Sequence, residues 1–257
     1  MLSFNFNLTD LAVLLSIVLR LSLVLFMLPI FSTAGVPAAL KALIVISFSI
    51  MLYPAVKQYV QPVTFEPAQL ILVVVGELVY GMVFALSMLL ILSAFHLAGE
   101  LIGFQMGFGF AQSADPLTGA RFTILSVWTQ LLATILFLSI NGHHLVLKIL
   151  VESFKKIPIG SFTVDSGLFA RVLLLSGLLF VLAVKIAAPV LAVLILTHLG
   201  LGLMSKFAPQ INILATSFPV TITIGLFFLG FTMFTWGRIG TESFAQLFHF
   251  LENLSRN

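Results

Sequence analysis

Five ionisable side chains lie inside or at the edges of long apolar runs, where a charge is chemically unusual. They are Arg20, Glu77, Glu100, Lys185 and Lys206. An ionisable group at membrane depth is costly, so it usually faces the interior of a helix bundle, a cavity or a partner. Such groups could move ions or protons, or they could form structural pairs and contacts between subunits. Proton pumps and ion-coupled transporters usually have denser acidic clusters, so the isolated acids here favour structural or inter-subunit contacts.

Other chemistry has little support in the sequence. Phosphate-binding loops, nucleophile elbows and zinc-protease motifs are all missing. His143 and His144 end an apolar run, but adjacent residues do not share a helix face, and no acid lies at ligand spacing. The chain contains no cysteine, which excludes disulfides and thiolate metal sites. We therefore predict no metal, no cofactor and no enzymatic activity.

The segment GELIGFQMGFGFAQSADPLTG, residues 99–119, differs from the apolar runs around it. Glycines and an Asp-Pro step interrupt it, and lipid-facing backbone does not tolerate such interruptions. Gly99, Gly103, Gly107 and Ala111 recur every fourth residue, which is typical of a close helix–helix seam. Alternatively, the glycines let the backbone leave helical geometry, and the phenylalanine and methionine side chains form a pliable plug in a pore. Composition alone slightly favours the seam.

Long apolar stretches must position these residues. Apolar residues make up 60% of the 257 and charged residues 8%, against about 25% charged in soluble domains. Runs long enough for membrane helices lie at about residues 10–31, 38–56, 68–98, 120–147, 168–200 and 211–236. They lack the strict alternation of membrane barrel strands. We predict an all-α polytopic membrane protein with about six long helical elements, of which the third and fifth are too long for one simple crossing.

The distribution of charge and the C-terminal tail indicate which kinds of partner the chain could bind. The net charge of +3 is scattered between the apolar runs, so the sequence offers no basic stripe for nucleic acid. After Gly237, a short tail carries Phe244, Leu247, Phe248 and Leu251 at helical spacing. This spacing predicts an interfacial or partner-facing helix, with a frayed end at the membrane surface as the alternative.

The order of short motifs along nearly the whole chain resembles the FliR family of flagellar and type III secretion export-gate proteins. The motifs are Arg20 with Pro29, Gly35-Val36-Pro37 with Lys41, Gly76-Glu77 with Gly81, Gly99-Glu100-Leu101-Ile102-Gly103-Phe104-Gln105-Met106-Gly107-Phe108, Asp115-Pro116, Asn141-Gly142-His143-His144 with Ser153, Pro158 and Gly160, Ala188-Pro189, Leu199-Gly200-Leu201, Ala208-Pro209-Gln210-Ile211-Asn212 and Phe218-Pro219. Each is weak alone, but the ordered set is specific. The chain departs from the family at Thr197-His198, where an acid is usual, and at Val220-Thr221, where a lysine often follows Phe-Pro. A charge-based role is therefore not carried over to those two places.

The resemblance implies an export-gate subunit, a single domain over residues 1–257, in the bacterial inner (plasma) membrane and the flagellar basal body. It implies a FliP-like part over about residues 1–165 and a FliQ-like hairpin with the tail over about 166–257. Implied partners are FliP, FliQ and FlhB-like subunits, membrane lipid and the unfolded flagellar proteins that pass through the pore. A loop that partly closes the family's pore corresponds to about residues 103–119 here. The pore-plug residues taken from this correspondence are Gly103, Phe104, Gln105, Met106, Gly107, Phe108, Gly109, Phe110, Asp115 and Pro116.

Alternative functions remain open at this point. A small-molecule or ion-coupled secondary transporter with a broken third helix could also carry intramembrane charges. It predicts inverted repeats, which the sequence does not display. An intramembrane enzyme needs a convergent set of nucleophile, acid or metal ligands, and a structural scaffold would leave the pore to its partners.

Overall fold

The computed structural model describes residues 8–28, 31, 36–59, 67–109, 122–162, 166–210 and 212–254. These ranges contain seven α-helices and no strand. The helices are α1 (Leu8–Met27), α2 (Ala38–Lys57), α3 (Pro67–Met106), α4 (Ile124–Ser139), α5 (Gly142–Lys156), α6 (Ser166–Phe207) and α7 (Ile213–Leu254). The predicted all-α class is confirmed.

Five of the described helices, α1, α2, α3, α6 and α7, are long and apolar enough to cross a membrane. α4 and α5, which are separated by a short break, pass the same test together, and this gives up to six spans in the described chain. The predicted polytopic membrane protein is therefore confirmed. α3 has 40 residues and α6 has 42, so both exceed the roughly 20 residues of one crossing, as expected.

α7 is also 42 residues long, which the sequence did not predict. We expected its apolar run to stop near residue 236 and a separate amphipathic tail to follow. Instead the helix continues through the tail, and Phe244, Leu247 and Leu251 are buried. Their spacing was interpreted correctly as one helix face, but this face packs within the chain rather than on the membrane surface.

Three prolines lie inside helices. Pro54 lies inside α2, which continues to Lys57, and Pro189 and Pro219 lie inside α6 and α7. Apolar helices tolerate proline where neighbouring groups satisfy the freed backbone. Near Pro189, the buried indole Nε1–H of Trp236 donates to the Ile186 carbonyl at 3.2 Å, so α7 contributes a donor at this point of α6.

The chain divides into two compact units, each with its own packing. The first unit comprises Met1–Leu89, Asn141–Leu175 and Phe244–Asn257, and the second comprises Leu90–Ile140 and Ser176–Ser243. In the first unit, Val13 and Ile17 of α1 belong to one apolar cluster with Val56 of α2, Phe154 of α5 and Ile159. The correspondence of residues 1–165 and 166–257 to FliP and FliQ stays a prediction.

Candidate functional site

In the second unit, the C-terminal part of α3 approaches α4 at two glycines. A Cβ atom on Gly99 would lie 2.7 Å from the Cα of Ser126, and one on Gly103 would lie 2.8 Å from the Cβ of Thr123. Real Cβ contacts are never this short, so the absent side chains permit the approach. Gly99 and Gly103 therefore form a small-residue seam with α4, which is one of the two roles expected for this spacing.

A carboxylate joins the same two helices beside the seam. Glu100 accepts hydrogen bonds from the backbone N–H and the hydroxyl of Thr123, both at 3.0 Å. Thr123 is the N-cap of α4, and its hydroxyl accepts from the Ser126 N–H at 3.2 Å. A negative charge near a helix N-terminus is stabilising because the first N–H groups lack intrahelical partners. Glu100 thus fixes the start of α4 to α3.

α3 ends at Gly107, which adopts a φ of +96°. This left-handed conformation favours glycine, and a side chain there would also meet the ring of Phe218. One residue earlier, Met106 is fully buried, and its Cγ and Cε atoms lie 2.7 Å from the point where Gly225 of α7 would place a Cβ. The end of α3 is therefore held closely against α7.

Thr221, at the second departure from the family pattern, contributes to this contact. Its hydroxyl lies 3.1 Å from the Met106 carbonyl, 2.9 Å from that of Ser217 and 3.2 Å from that of Phe218. A threonine hydroxyl has one proton, so the three carbonyls share it. Thr221 therefore links α7 to the last turn of α3 through a neutral hydrogen bond.

The predicted plug residues do not share one environment. Phe104 is 58% exposed and its ring covers Gly109, whereas Met106 is fully buried. Gln105 and Phe108 are half-buried. Phe110, Asp115 and Pro116 lie outside the described residues. The assignment of this segment to a pore plug stays a prediction.

The structure brings Arg20 and Glu77 together in the first unit, and both are buried. Arg20 Nε donates to one carboxylate oxygen of Glu77 at 2.5 Å, and Nη2 donates to the other at 2.9 Å. Nη1 donates to the Ser153 hydroxyl at 3.0 Å, and both Nη atoms reach the Ile157 carbonyl at 3.4 Å. The guanidinium carbon also lies 4.6 Å from the ring centre of Tyr80 and 4.1 Å from that of Phe154.

This Arg20 centre links α1, α3 and the end of α5 through a single side chain. Bidentate Arg–carboxylate pairs are strong and directional, and a guanidinium between two aromatic faces gains cation–π attraction. Ile157 follows the last turn of α5, where carbonyls lack intrahelical partners. The guanidinium charge of Arg20 is thus paired and hydrogen-bonded by groups of this chain.

The two lysines of the predicted set take no part in the contacts described above. Lys185 and Lys206 are both exposed on α6. Within the described ranges, neither makes an ion pair. Their predicted role in contacts between subunits stays a prediction.

Sequence reasoning missed a second ion pair in the first unit. Lys57 Nζ lies 2.7 Å from an oxygen of Asp10, which is almost fully buried. Asp10 is in the first turn of α1 and Lys57 in the last turn of α2, and the two helices pack together. Both charges suit the helix dipoles. The sequence signal for this pair was an acidic residue in the first turn of one helix and a basic residue in the last turn of the next helix.

No group of three or more potential ligands in the described parts of the chain could hold a metal ion. The rings of His143 and His144 lie 4.2 Å apart at the start of α5, and Nδ1 of His143 is buried without a hydrogen-bond partner. Two histidines without a third ligand give no basis for assigning a metal.

Comparisons with known proteins define the family. A family model described as bacterial export proteins, family 1, matches residues 11–247. "Flagellar biosynthetic protein FliR" of Pectobacterium carotovorum subsp. carotovorum is 32% identical over 180 residues, covering 70% of this chain and 69% of that protein. The protein of the same name from Escherichia coli (strain K12) is 29% identical over 226 residues, covering 88% and 86%. That of Bacillus subtilis (strain 168) is 28% identical over 219 residues, covering 84% and 83%.

The chain belongs to family 1 of the bacterial export proteins. Because these relatives are all flagellar biosynthetic proteins, the expected resemblance to FliR is confirmed. The chain is thus an integral membrane component of the flagellar export apparatus, which works with other components of that apparatus. The alternative of a small-molecule transporter is not favoured.

Proposed function

We propose that this export-gate subunit lines and closes a channel for unfolded flagellar proteins in the bacterial inner membrane. It performs this role in the flagellar basal body, assembled with FliP, FliQ and FlhB-like subunits and surrounded by lipid. Residues 1–165 take the FliP-like place and 166–257 the FliQ-like place. It catalyses no reaction itself, binds no cofactor or nucleic acid, and contributes structure and closure.

The observation that carries this proposal is the way α3 ends. A helix that is apolar over 37 residues stops at Gly107, inside a segment rich in glycine and phenylalanine. The chain before this point is tied to α4 by Glu100 and to α7 by Met106. Residues after Gly107 therefore start from a fixed position, which a closing element needs.

We propose that the segment closes the channel in two ways, by filling it with side chains and by excluding water from it. Phenylalanine side chains narrow the channel, and an apolar constriction blocks ions because water does not wet it. Phe104, Phe108 and Phe110 supply bulk, and Met106 seats the segment against α7. Gly107 and Gly109 act as the joints at which the segment turns, whereas Gly103 seats α3 against the start of α4.

The test measures ion conductance through the assembled complex in a planar bilayer. Replacing residues 108–119 with a short Gly-Ser link is expected to raise the resting conductance. The matched control replaces residues 208–212, between α6 and α7, with a link of the same composition, and its conductance is expected to stay at the closed level. Closed-level conductance in both variants contradicts the plug.

A further inference from the structure

α3, α4 and α7 surround a partly open apolar cavity of about 230 Å³ within the second unit. Its walls include Phe95, Ala133, Leu136, Met233, Trp236 and Gly237. An engineered apolar cavity of about 150 Å³ in another protein takes up benzene. The space here is therefore large enough for an aromatic ring with a short substituent, or for the end of a hydrocarbon chain.

The cavity exists because α7 has no side chain at Gly237. A Cβ atom on this glycine would meet nothing within 4 Å. About one turn later the helices touch, since a Cβ atom on Gly240 would overlap the side chain of Leu136 and lie 3.2 Å from the ring of Phe95. The hydroxyl of Thr129 also joins α4 to the Phe95 carbonyl of α3 at 2.9 Å. Because the helices already touch here, α7 cannot close the gap at Gly237 by a small shift.

Trp236 and Ser139 carry the polar side-chain groups of the described lining, and both are already hydrogen-bonded. The indole Nε1–H of Trp236 donates to the Ile186 carbonyl at 3.2 Å. The hydroxyl of Ser139, at the exposed end of α4, donates to the Leu136 carbonyl at 2.8 Å. A buried water needs about two to four hydrogen-bond partners, and these walls do not offer them. An uncharged hydrocarbon therefore fits the cavity better than water or a charged ligand does.

We propose that this cavity binds an uncharged hydrocarbon group, supplied by the acyl tail of a membrane lipid or by a free apolar molecule. Ile135 belongs to the lining and is 62% exposed, so apolar surface continues from the cavity to the outside of α4. A group bound there contacts α3, α4 and α7 at once, and a ligand that binds the folded state stabilises it. The inference goes beyond the proposed function, because it rests on the walls of the cavity and requires neither export nor a pore.

Photolabelling tests the cavity residue by residue in the complete protein. The full-length chain, with the export-gate subunits that purify with it, is reconstituted in phosphatidylcholine vesicles. One arm uses a lipid whose acyl tail ends in a diazirine, and the other uses a small free aryl diazirine with unmodified lipid. Illumination converts either probe to a carbene, which inserts into adjacent C–H bonds, and mass spectrometry locates the adducts.

We expect adducts on Phe95 and Trp236, whose exposed fractions are only 2% and 4%. A probe outside the cavity does not reach these two rings, so their labelling reports occupation of the cavity. Adducts from the lipid probe identify an acyl tail as the occupant. Adducts from the aryl probe alone identify a free apolar molecule.

Gly237→Leu fills the cavity from α7 and is expected to lower the labelling of Phe95 and Trp236 at least fivefold. Gly230→Leu is the matched control, because a Cβ atom there also meets nothing within 4 Å and the residue lies outside the lining. Its labelling is expected to stay within twofold of the unaltered chain. Both changes replace a glycine inside the same helix, so their effects on the backbone are alike.

Gly237→Ala adds one methyl group to the same open space and is expected to give intermediate labelling. This variant keeps the test decisive if leucine disturbs the fold. Equal labelling of Phe95 and Trp236 in the two leucine variants overturns the inference. The absence of adducts on both residues in the unaltered chain, with either probe, also overturns it.

Discussion

The Arg20 centre and the end of α3 both hold polar groups inside apolar helices, and they do so differently. Around Arg20, the Glu77 carboxylate neutralises the guanidinium charge. Two aromatic rings lie against the guanidinium, and groups near the end of α5 accept its remaining hydrogen bonds. At the end of α3, close approach comes from missing side chains at Gly99 and Gly103.

This difference predicts different responses to change. A buried ion pair responds abruptly, because removal of one partner leaves the other charged and unpaired. A seam of glycines and hydroxyls responds in steps, because each added methyl group separates the helices a little further. Both regions fix helix positions, the first by a neutralised charge and the second by close approach of the backbones.

The largest effect is expected from Arg20→Leu. It leaves Glu77 buried without its partner, which typically costs about 3–5 kcal/mol. The double variant Arg20→Met with Glu77→Met removes both charges and is expected to recover most of the loss. Thermal denaturation of the detergent-solubilised complex measures both variants. If the double variant is as unstable as the single one, the centre stabilises by packing rather than by charge pairing.

A smaller loss is expected from Gly99→Ala. The added methyl group would meet the Cα of Ser126 at 2.7 Å, and backbone cannot rotate away, so α3 and α4 must separate at a cost of about 1–3 kcal/mol. Gly200→Ala is the control, since no atom lies within 4 Å of its added methyl group, and alanine favours the helix by up to about 1 kcal/mol. Equal denaturation midpoints for the two variants are inconsistent with a tight seam.

The smallest change is expected from Glu100→Gln. The amide oxygen can still accept from Thr123, but the charge at the start of α4 is lost, a difference of about 0.3–1 kcal/mol. Glu100→Ala also removes the acceptor and is expected to be worse. The same denaturation assay compares them. A loss with glutamine as large as that at Arg20 would remove the distinction between the two regions.

Apolar run length predicted the membrane-capable helices. Pro54, Pro189 and Pro219 lie inside their helices, because long apolar helices tolerate proline. The predicted length of α7 was wrong because Gly237 does not end the helix, which continues to Leu254.

The sequence named Arg20 and Glu77 but could not pair them. They are 57 residues apart, and which of several isolated charges meet depends on helix packing. The Ile157 carbonyl that completes the centre has no sequence signature, since every residue has a carbonyl. The glycine spacing predicted a seam, and only the packing of α4 showed that Thr123 and Ser126 form its other side.

The bond from Trp236 to the Ile186 carbonyl has an optical consequence. The chain has two tryptophans, and Trp128 is 41% exposed while Trp236 is 4% exposed. Replacing Trp128 with phenylalanine leaves one tryptophan, fixed by its N–H at the contact between α6 and α7 near Pro189. Its emission wavelength can therefore report when these two helices part, without any attached dye.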